Sequence, residues 1–252
     1  MPILGRRDGN GGRISTASTM ESAIPRARVE RVLTRGRIGW SKRIEDVGVR
    51  GRLLKGAPRQ LFEVERQAYK SVAESSLPFP SIIEDGADHF VIADAGPTVK
   101  SILQEEGPAS ERFREAVCQA GEALARLHSA GVSHGRPALR DICWQDGRIT
   151  FIDLEKYSPK RNRPEGHAWD LLVFVYNLAG ELDGVDETVL AACRAYRAQD
   201  RQNIWALAER RMRLLRWLGP VMRPLSRLLY DKRDFRAIGP FMDLFLKGDR
   251  GL

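Results

Sequence analysis

Residues 127–155 read LHSAGVSHGRPALRDICWQDGRITFIDLE, and they are the most informative part of the chain. Asp146-Gly147 separates two apolar runs, 142–144 and 149–152. Asp-Gly is a favoured two-residue hairpin turn because both residues adopt positive φ, so the pattern predicts a β-hairpin. The hairpin would bring Asp141 and Asp153, at its open ends, close together. Two adjacent carboxylates repel each other unless a cation lies between them, and Mg²⁺ is a hard ion that fits this need.

This order of residues resembles the catalytic segment of protein-kinase-like phosphotransferases, where H-x-D-x-x-x-x-N is followed by a hairpin and a metal-binding Asp. His134 takes the first position, Asp141 the position of the metal-binding Asn, and Asp153 the position of the DFG aspartate. The letters HG and FIDLE are similar to those of bacterial lipopolysaccharide core (Kdo or heptose) kinases and of small-molecule kinases. The resemblance covers residues 29–180. It departs at the catalytic aspartate position, two residues after His134, where this chain has Arg136.

The resemblance implies a two-lobed α+β fold, with a small antiparallel β lobe over 26–95 and a larger, mainly helical lobe over 96–252. Residues 1–25 are rich in Gly, Ser and Arg and poor in apolar residues, which predicts a disordered tail. Met20 is an alternative start to Met1. Three antiparallel strands are predicted from Val29 to Lys55, followed by an amphipathic helix over 61–73.

Four residues of the small lobe are assigned to nucleotide binding by the resemblance. Gly36 and Gly39, in a glycine turn over 34–40, would cover the phosphates, although an ordinary hairpin turn is equally consistent with two glycines. Lys55 would reach the α- and β-phosphates and would pair with Glu65. Glu63 is the alternative partner, because residues two apart on a helix differ by about 200° and only one of them can face the strand. The competing interpretation is that these charges are solvated.

Two aspartates outside the catalytic segment also receive roles from the resemblance. Asp94 lies in the segment joining the lobes, whose backbone would hydrogen-bond the adenine. Asp170 lies near the start of the apolar segment 169–176, where a charge needs a partner. It would accept hydrogen bonds from the catalytic-loop backbone, and the simpler alternative is an Asp favoured by the helix dipole. The implied cofactors are ATP and Mg²⁺.

Arg136 leaves the general base unassigned, because a guanidinium stays protonated and cannot accept the proton of the acceptor hydroxyl. It could instead contact the γ-phosphate or an anionic substrate. Three accounts follow: an active kinase in which His134, Asp141 or water takes the proton; transfer of another part of the nucleotide; or a pseudokinase that binds nucleotide as a regulatory module. His134 is either catalytic or a structural residue beneath the metal site.

The leading prediction is phosphorylation of a sugar hydroxyl, in lipopolysaccharide core or in a small molecule.

Charge is distributed unevenly along the 252 residues, whose formal net charge is +8. Residues 1–60 hold 14 Lys and Arg against 5 Asp and Glu, residues 194–252 hold 14 against 6, and the middle holds 13 against 22. An acidic centre suits bound metal ions, and basic flanks suit phosphates or anionic lipid. The basic segment 205–230 predicts either helices with solvated arginines or a face that docks on an anionic membrane.

Other classes of protein are disfavoured by the sequence. Cys118, Cys143 and Cys193 are widely spaced and odd in number, which argues against a disulfide framework or a zinc site and favours the cytosol. No apolar run reaches the ~20 residues of a membrane-spanning helix. No nucleic-acid motif accompanies the basic residues, so nucleic acid is not an expected partner. We therefore expect a cytoplasmic protein, peripheral at the inner face of the membrane if its acceptor is a lipid-linked sugar.

Overall fold

The computed structural model describes residues 15–16, 29–44, 58–73, 75–216 and 233–247. Within these residues the protein is α+β and has seven strands and seven α-helices. None of the described helices is long and apolar enough to cross a membrane. The strands are β1 (Ser15–Thr16), β2 (Val29–Thr34), β3 (Arg37–Arg43), β4 (Ile82–Asp85), β5 (His89–Ala93), β6 (Ile142–Gln145) and β7 (Arg148–Phe151). The helices are α1 (Pro58–Val72), α2 (Val99–Glu106), α3 (Glu111–Ser129), α4 (Pro164–Glu181), α5 (Glu187–Gln199), α6 (Ile204–Leu215) and α7 (Arg233–Leu246).

The chain divides into two compact units. The first comprises Met1–Ala73 and Pro80–Asp94, and the second comprises Glu74–Phe79 and Ala95–Leu252. The predicted boundary between residues 95 and 96 lies one residue from the boundary that follows Asp94.

The first unit is built on a five-stranded sheet in the order β1-β2-β3-β5-β4. All its pairings are antiparallel except the short parallel pairing of β1 with β2. Ser15 and Thr16 fall within the tail predicted to be disordered, and they form β1 because the edge of β2 offers its unpaired backbone groups. The rest of the predicted tail, and the last of the three predicted strands, which ends at Lys55, lie outside the described residues.

The sequence predicts that helix α1 buries Leu61, Val64, Ala68 and Val72, and the structure confirms only Ala68 and Val72. Leu61 and Val64 are exposed, whereas Phe62 and Tyr69 are buried against Phe90, with ring centroids 5.4 and 5.8 Å apart. Burying an aromatic ring removes more apolar area from water than burying Leu or Val, so the two rings decide which face packs inward.

The second unit is formed around α3 and α4, whose inward faces are almost fully apolar. Ser110, a serine directly before an amphipathic segment, caps α3 by accepting a hydrogen bond from the backbone N–H of Phe113. Strands β6 and β7 form the predicted hairpin, and both residues of its turn have positive φ, 50° at Asp146 and 74° at Gly147. The large buried side chains of this core include Phe113, Leu124, Leu127, Phe151, Phe174, Tyr196 and Phe245.

Candidate functional site

The loop that follows α3 is held in place by Asp170 of α4. The buried Asp170 carboxylate accepts hydrogen bonds from the backbone N–H of His134, at 2.5 Å, and of Gly135, at 3.0 Å. Gly135 has φ 101°, and a Cβ at this position would lie 2.3 Å from the backbone oxygen of Lys156, so only glycine fits. The contact matches the one expected for Asp170, whose part in catalysis stays a prediction.

His134 is completely buried, and both of its ring nitrogens are engaged. Nε2 lies 2.9 Å from the backbone oxygen of Ile152, and Nδ1 accepts the backbone N–H of Arg136 at 3.3 Å. Because a carbonyl oxygen only accepts, Nε2 carries the proton and Nδ1 is the unprotonated nitrogen. Burial lowers the pKa of His134, which keeps the ring neutral. This arrangement favours the structural alternative for His134 and leaves its ring without a free nitrogen to accept a proton.

Asp141 and Asp153 lie close together, as the predicted hairpin requires. Asp141 ends a short 3₁₀ turn directly before β6, and Asp153 follows β7 with a left-handed φ of 64°, which is uncommon for a residue other than glycine. Burial, and after it the negative charge of Asp153, together raise the pKa of Asp141 to about 7. The structure therefore places two interacting carboxylates at the position where the sequence predicts a cation.

Arg136 supplies positive charge to this pair of carboxylates. Its Nη2 lies 3.0 Å from Oδ2 of Asp153 and 3.6 Å from Oδ2 of Asp141, while Arg140 lies 3.6 Å from Oδ1 of Asp141. The guanidinium of Arg136 thus faces carboxylates, and its suggested contact with the γ-phosphate or an anionic substrate stays a prediction. A hydroxyl acceptor cannot give its proton to this group.

The carboxylate pair fits a divalent cation. Oδ2 of Asp141 is buried and accepts no hydrogen bond from any described residue, so it has a lone pair available for a ligand bond. Carboxylate oxygens are the ligands that Mg²⁺ prefers. Asp141 and Asp153 together could hold such an ion if Arg136 turned away, because its long side chain is about one third exposed.

In the first unit, Glu65 forms its ion pair with Lys42 of β3. The Glu65 carboxylate is buried and Lys42 is nearly so, and the Lys42 ammonium also lies 5.6 Å from the centre of the Tyr69 ring. Glu63, the alternative partner, pairs instead with Arg66 at 3.3 Å. Lys55 lies outside the described residues, so its predicted contact with Glu65 is not described.

Sequence reasoning missed Lys42 because two lysines, Lys42 and Lys55, precede helix α1, and spacing alone does not choose between them.

Gly36, Gly39 and Asp94 all have structural roles in the first unit. The predicted glycine turn is shorter than 34–40, since only Arg35 and Gly36 lie between β2 and β3, both with positive φ. Gly39 is a strand residue, and a Cβ there would lie 2.6 Å from the backbone oxygen of Ile92. Asp94 accepts hydrogen bonds from Arg31 at 2.9 Å and from the Trp40 indole at 3.2 Å. Its backbone N–H donates to the oxygen of Ile38, so this N–H is not available to an adenine ring.

Several further residues that support the loop carry no recognisable signal in the sequence. Asn177, two helical turns after Asp170, accepts the backbone N–H of Leu139 at 2.8 Å. His128 lies 2.7 Å from the Tyr196 hydroxyl, and its Nε2 lies 3.6 Å from Asp170. The sequence does not show which distant backbone group a polar side chain of a helix contacts. These supporting residues are therefore identified only from the structure.

Comparisons with known proteins give relatives of two kinds, and no model of a known protein family matches the chain. An uncharacterized protein of Haemophilus influenzae is 28% identical over 211 residues, which cover 84% of this chain and 86% of that protein. Probable bifunctional tRNA threonylcarbamoyladenosine biosynthesis proteins match in part. That of Haloarcula marismortui is 38% identical over 33% of this chain, and that of Haloquadratum walsbyi is 26% identical over 64% of it. These matches span 16% and 31% of the two archaeal proteins.

Proposed function

We propose that the protein is a kinase-like phosphotransferase that uses ATP and Mg²⁺ to phosphorylate a sugar hydroxyl, such as one in lipopolysaccharide core. The observation that supports this most is the pair of Asp141 and Asp153 beside a loop anchored by Asp170. Phosphoryl transfer depends mainly on positioning and on neutralising charge, and these residues suit both tasks. The Lys42–Glu65 pair, formed by a strand and the following helix, is a second feature typical of such enzymes.

In this proposal the acceptor hydroxyl oxygen bonds to the γ-phosphorus of ATP, the bond between the γ-phosphorus and the bridging oxygen breaks, and ADP leaves. Asp141 and Asp153 would hold Mg²⁺, which would neutralise charge on the phosphates. The hydroxyl proton goes to water, because both nitrogens of His134 are engaged and Asp141 would be a ligand of the metal ion.

The test of this function is binding followed by turnover. We expect ATP to raise the melting temperature in the presence of Mg²⁺, and we expect ³²P transfer from γ-labelled ATP to a sugar such as Kdo or a heptose. Asp153→Asn should abolish transfer, and Asp146→Asn, which changes an exposed carboxylate in the turn of the same hairpin, should leave it unchanged. Transfer that survives in Asp153→Asn would show that the site is wrongly assigned.

A pseudokinase is the second candidate, and the ion pair of Arg136 with Asp153 favours it. In this case the guanidinium itself neutralises the carboxylates, and the protein binds ATP as a regulatory module without turnover. The two candidates are separated by measuring ATP affinity with Mg²⁺ and with EDTA. Binding that is indifferent to the metal, with no turnover, favours the pseudokinase.

The partial matches to tRNA threonylcarbamoyladenosine biosynthesis proteins favour a third candidate, a nucleotide-using role in tRNA modification. This candidate differs from the sugar-kinase proposal in the molecule on which the protein acts, which would be tRNA instead of a sugar. ATP turnover that bulk tRNA stimulates and that free sugars do not would favour it, and turnover that responds only to sugars would exclude it.

A further inference from the structure

A cavity of about 300 Å³ in the second unit is lined by three arginines. We call it the arginine cavity, and its lining consists of Arg161, Arg163, Glu165, Gly166, Trp169 and Arg211. Three guanidinium groups are opposed by one carboxylate, so the cavity is positively charged. Its volume is at the lower end of the range of small-molecule sites, which indicates a ligand the size of a sugar or a small phosphorylated compound.

The arginines have donors to offer a ligand. Arg163 lies 3.6 Å from Glu165, an exposed and loose ion pair, and Arg161 donates through Nη1 to the backbone oxygen of Gly135 at 3.0 Å. Arg211 makes no ion pair with any residue that the structure describes. A guanidinium carries five N–H donors in a fork that matches phosphate and carboxylate oxygens.

The start of helix α4 adds to the positive potential. The helix begins at Pro164, and its N-cap residue Arg163 makes no side-chain hydrogen bond to the first turn. The partial positive charge of the helix dipole therefore lies at the edge of the cavity, where Glu165 and Gly166 line it. Trp169, one turn further along and 43% exposed, offers an aromatic face to the apolar side of a ligand.

The cavity is connected directly to the loop that carries His134 and Arg136. Ser133 donates through its hydroxyl to the backbone oxygen of Arg161 at 2.5 Å, and its backbone N–H donates to Asn162 at 2.9 Å. Gly166 packs so closely on Arg161 that a Cβ would lie 2.0 Å from the Arg161 backbone oxygen. These contacts fix the backbone of Arg161, one of the lining residues, against the loop that carries the residues assigned to catalysis.

We propose that the arginine cavity binds the phosphate or carboxylate group of a small acidic acceptor. Its use as the acceptor site rests on the phosphotransferase function proposed above, whereas the binding of an anion does not. The recognised chemistry is an anionic group beside an apolar or ring-shaped portion. A soluble sugar acid, a sugar phosphate or the headgroup of an anionic lipid could present it.

The test uses the full-length protein with inorganic phosphate and gluconate as probes and glucose as the neutral control, measured by isothermal titration calorimetry. Arg211→Gln should weaken binding of both anions by about tenfold or more, the effect of losing one charge-assisted hydrogen bond. Arg210→Gln changes the neighbouring, exposed arginine of α6, which does not line the cavity, and should have less than about a twofold effect. Arg163→Gln provides a second lining variant, and circular dichroism checks that each variant is folded.

The proposal would be overturned if Arg210→Gln and Arg211→Gln weakened anion binding equally, because the anions would then respond only to the overall charge of the protein. It would also be overturned if the wild-type protein bound neither phosphate nor gluconate. ATP that displaces phosphate stoichiometrically would also overturn it, because the cavity would then not be a separate site. Phosphate binding that behaves as expected in a protein that binds no ATP supports the anion site and refutes the phosphotransferase. Binding to phosphatidylglycerol vesicles that is lost only in the lining variants supports the site and identifies a lipid as the source of the anion.

Discussion

Asp141 has a strongly raised pKa, and this should make the stability of the protein depend on pH. Its side chain is about 5% exposed, and Asp153 lies against it, while Arg136 and Arg140 offset only part of the repulsion. The carboxylate form is therefore disfavoured in the folded protein, and the pKa of Asp141 rises from the ordinary value of 3.8 to about 7. The folded state binds this proton more tightly than the unfolded state does, so stability should fall as pH rises between about 4 and 7.

Asp141→Asn should remove that dependence. We expect the free energy of unfolding at pH 8 to rise by up to about 4 kcal/mol, with little change at pH 4, because the amide carries no charge to desolvate. Urea denaturation at several pH values measures the effect. Asp146→Asn in the exposed turn is the matched control and should leave the pH profile unchanged. A stability curve for Asp141→Asn that runs parallel to that of the wild type would contradict the assignment.

Gly135 and Gly147 allow backbone strain and close packing to be separated. Both have positive φ, 101° and 74°, but only Gly135 faces a neighbouring backbone oxygen, and Gly147 faces open space. Gly147→Ala should cost about 1–2 kcal/mol, from the left-handed backbone alone. Gly135→Ala should cost about 1–3 kcal/mol more because Lys156 must move away. Denaturant titration of both variants compares these costs, and equal losses would show that the loop tolerates the displacement.

At the scale of elements, α4 organises the loop through two side chains on one face. Asp170 and Asn177 are seven residues apart, which is close to two helical turns, and both accept backbone N–H groups of the segment 134–139. The loop thus depends on a helix that follows it in sequence. The hydrogen bonds fix the backbone that leads to Asp141.

Asp170→Ala should cost about 2–4 kcal/mol of stability, because the buried N–H groups of His134 and Gly135 lose their acceptor. Asp170→Asn keeps one oxygen acceptor and should lose less. Thermal denaturation gives the stability, and ATP binding in the same variants reports on the loop. A loss below about 1 kcal/mol for Asp170→Ala would mean that water replaces the carboxylate.

The elements show why some features could be predicted and others not. The hairpin β6–β7 and the cap of α3 follow from local signals, namely Asp-Gly between apolar runs and a serine before an amphipathic segment. The buried face of α1 and the Lys42–Glu65 pair depend on which distant strand the helix meets. Local pattern contains no such information. The arginine cavity was missed for the same reason, since Arg211 comes from a helix some fifty residues beyond the others.

At the scale of the whole molecule, each unit has a hydrophobic core of its own. Phe62, Tyr69 and Phe90 lie in the first unit, and the helical core around Phe113 and Phe174 lies in the second. A change that damages one core should therefore reduce stability first in that unit, since proteins open in cooperative parts.

Lys42→Met tests this at the buried ion pair. The change leaves the Glu65 carboxylate buried without its lysine, which should cost about 3–5 kcal/mol. Hydrogen exchange should then accelerate in β2, β3, β5 and α1, and protection in α3 and α4 should persist. Lys70→Met is the control, because it breaks the half-exposed pair with Asp85 and should cost at most about 1 kcal/mol. Exchange that accelerates equally in both units after Lys42→Met would show that the two cores unfold as one, and the ion pair would then stabilise the whole chain instead of a single unit.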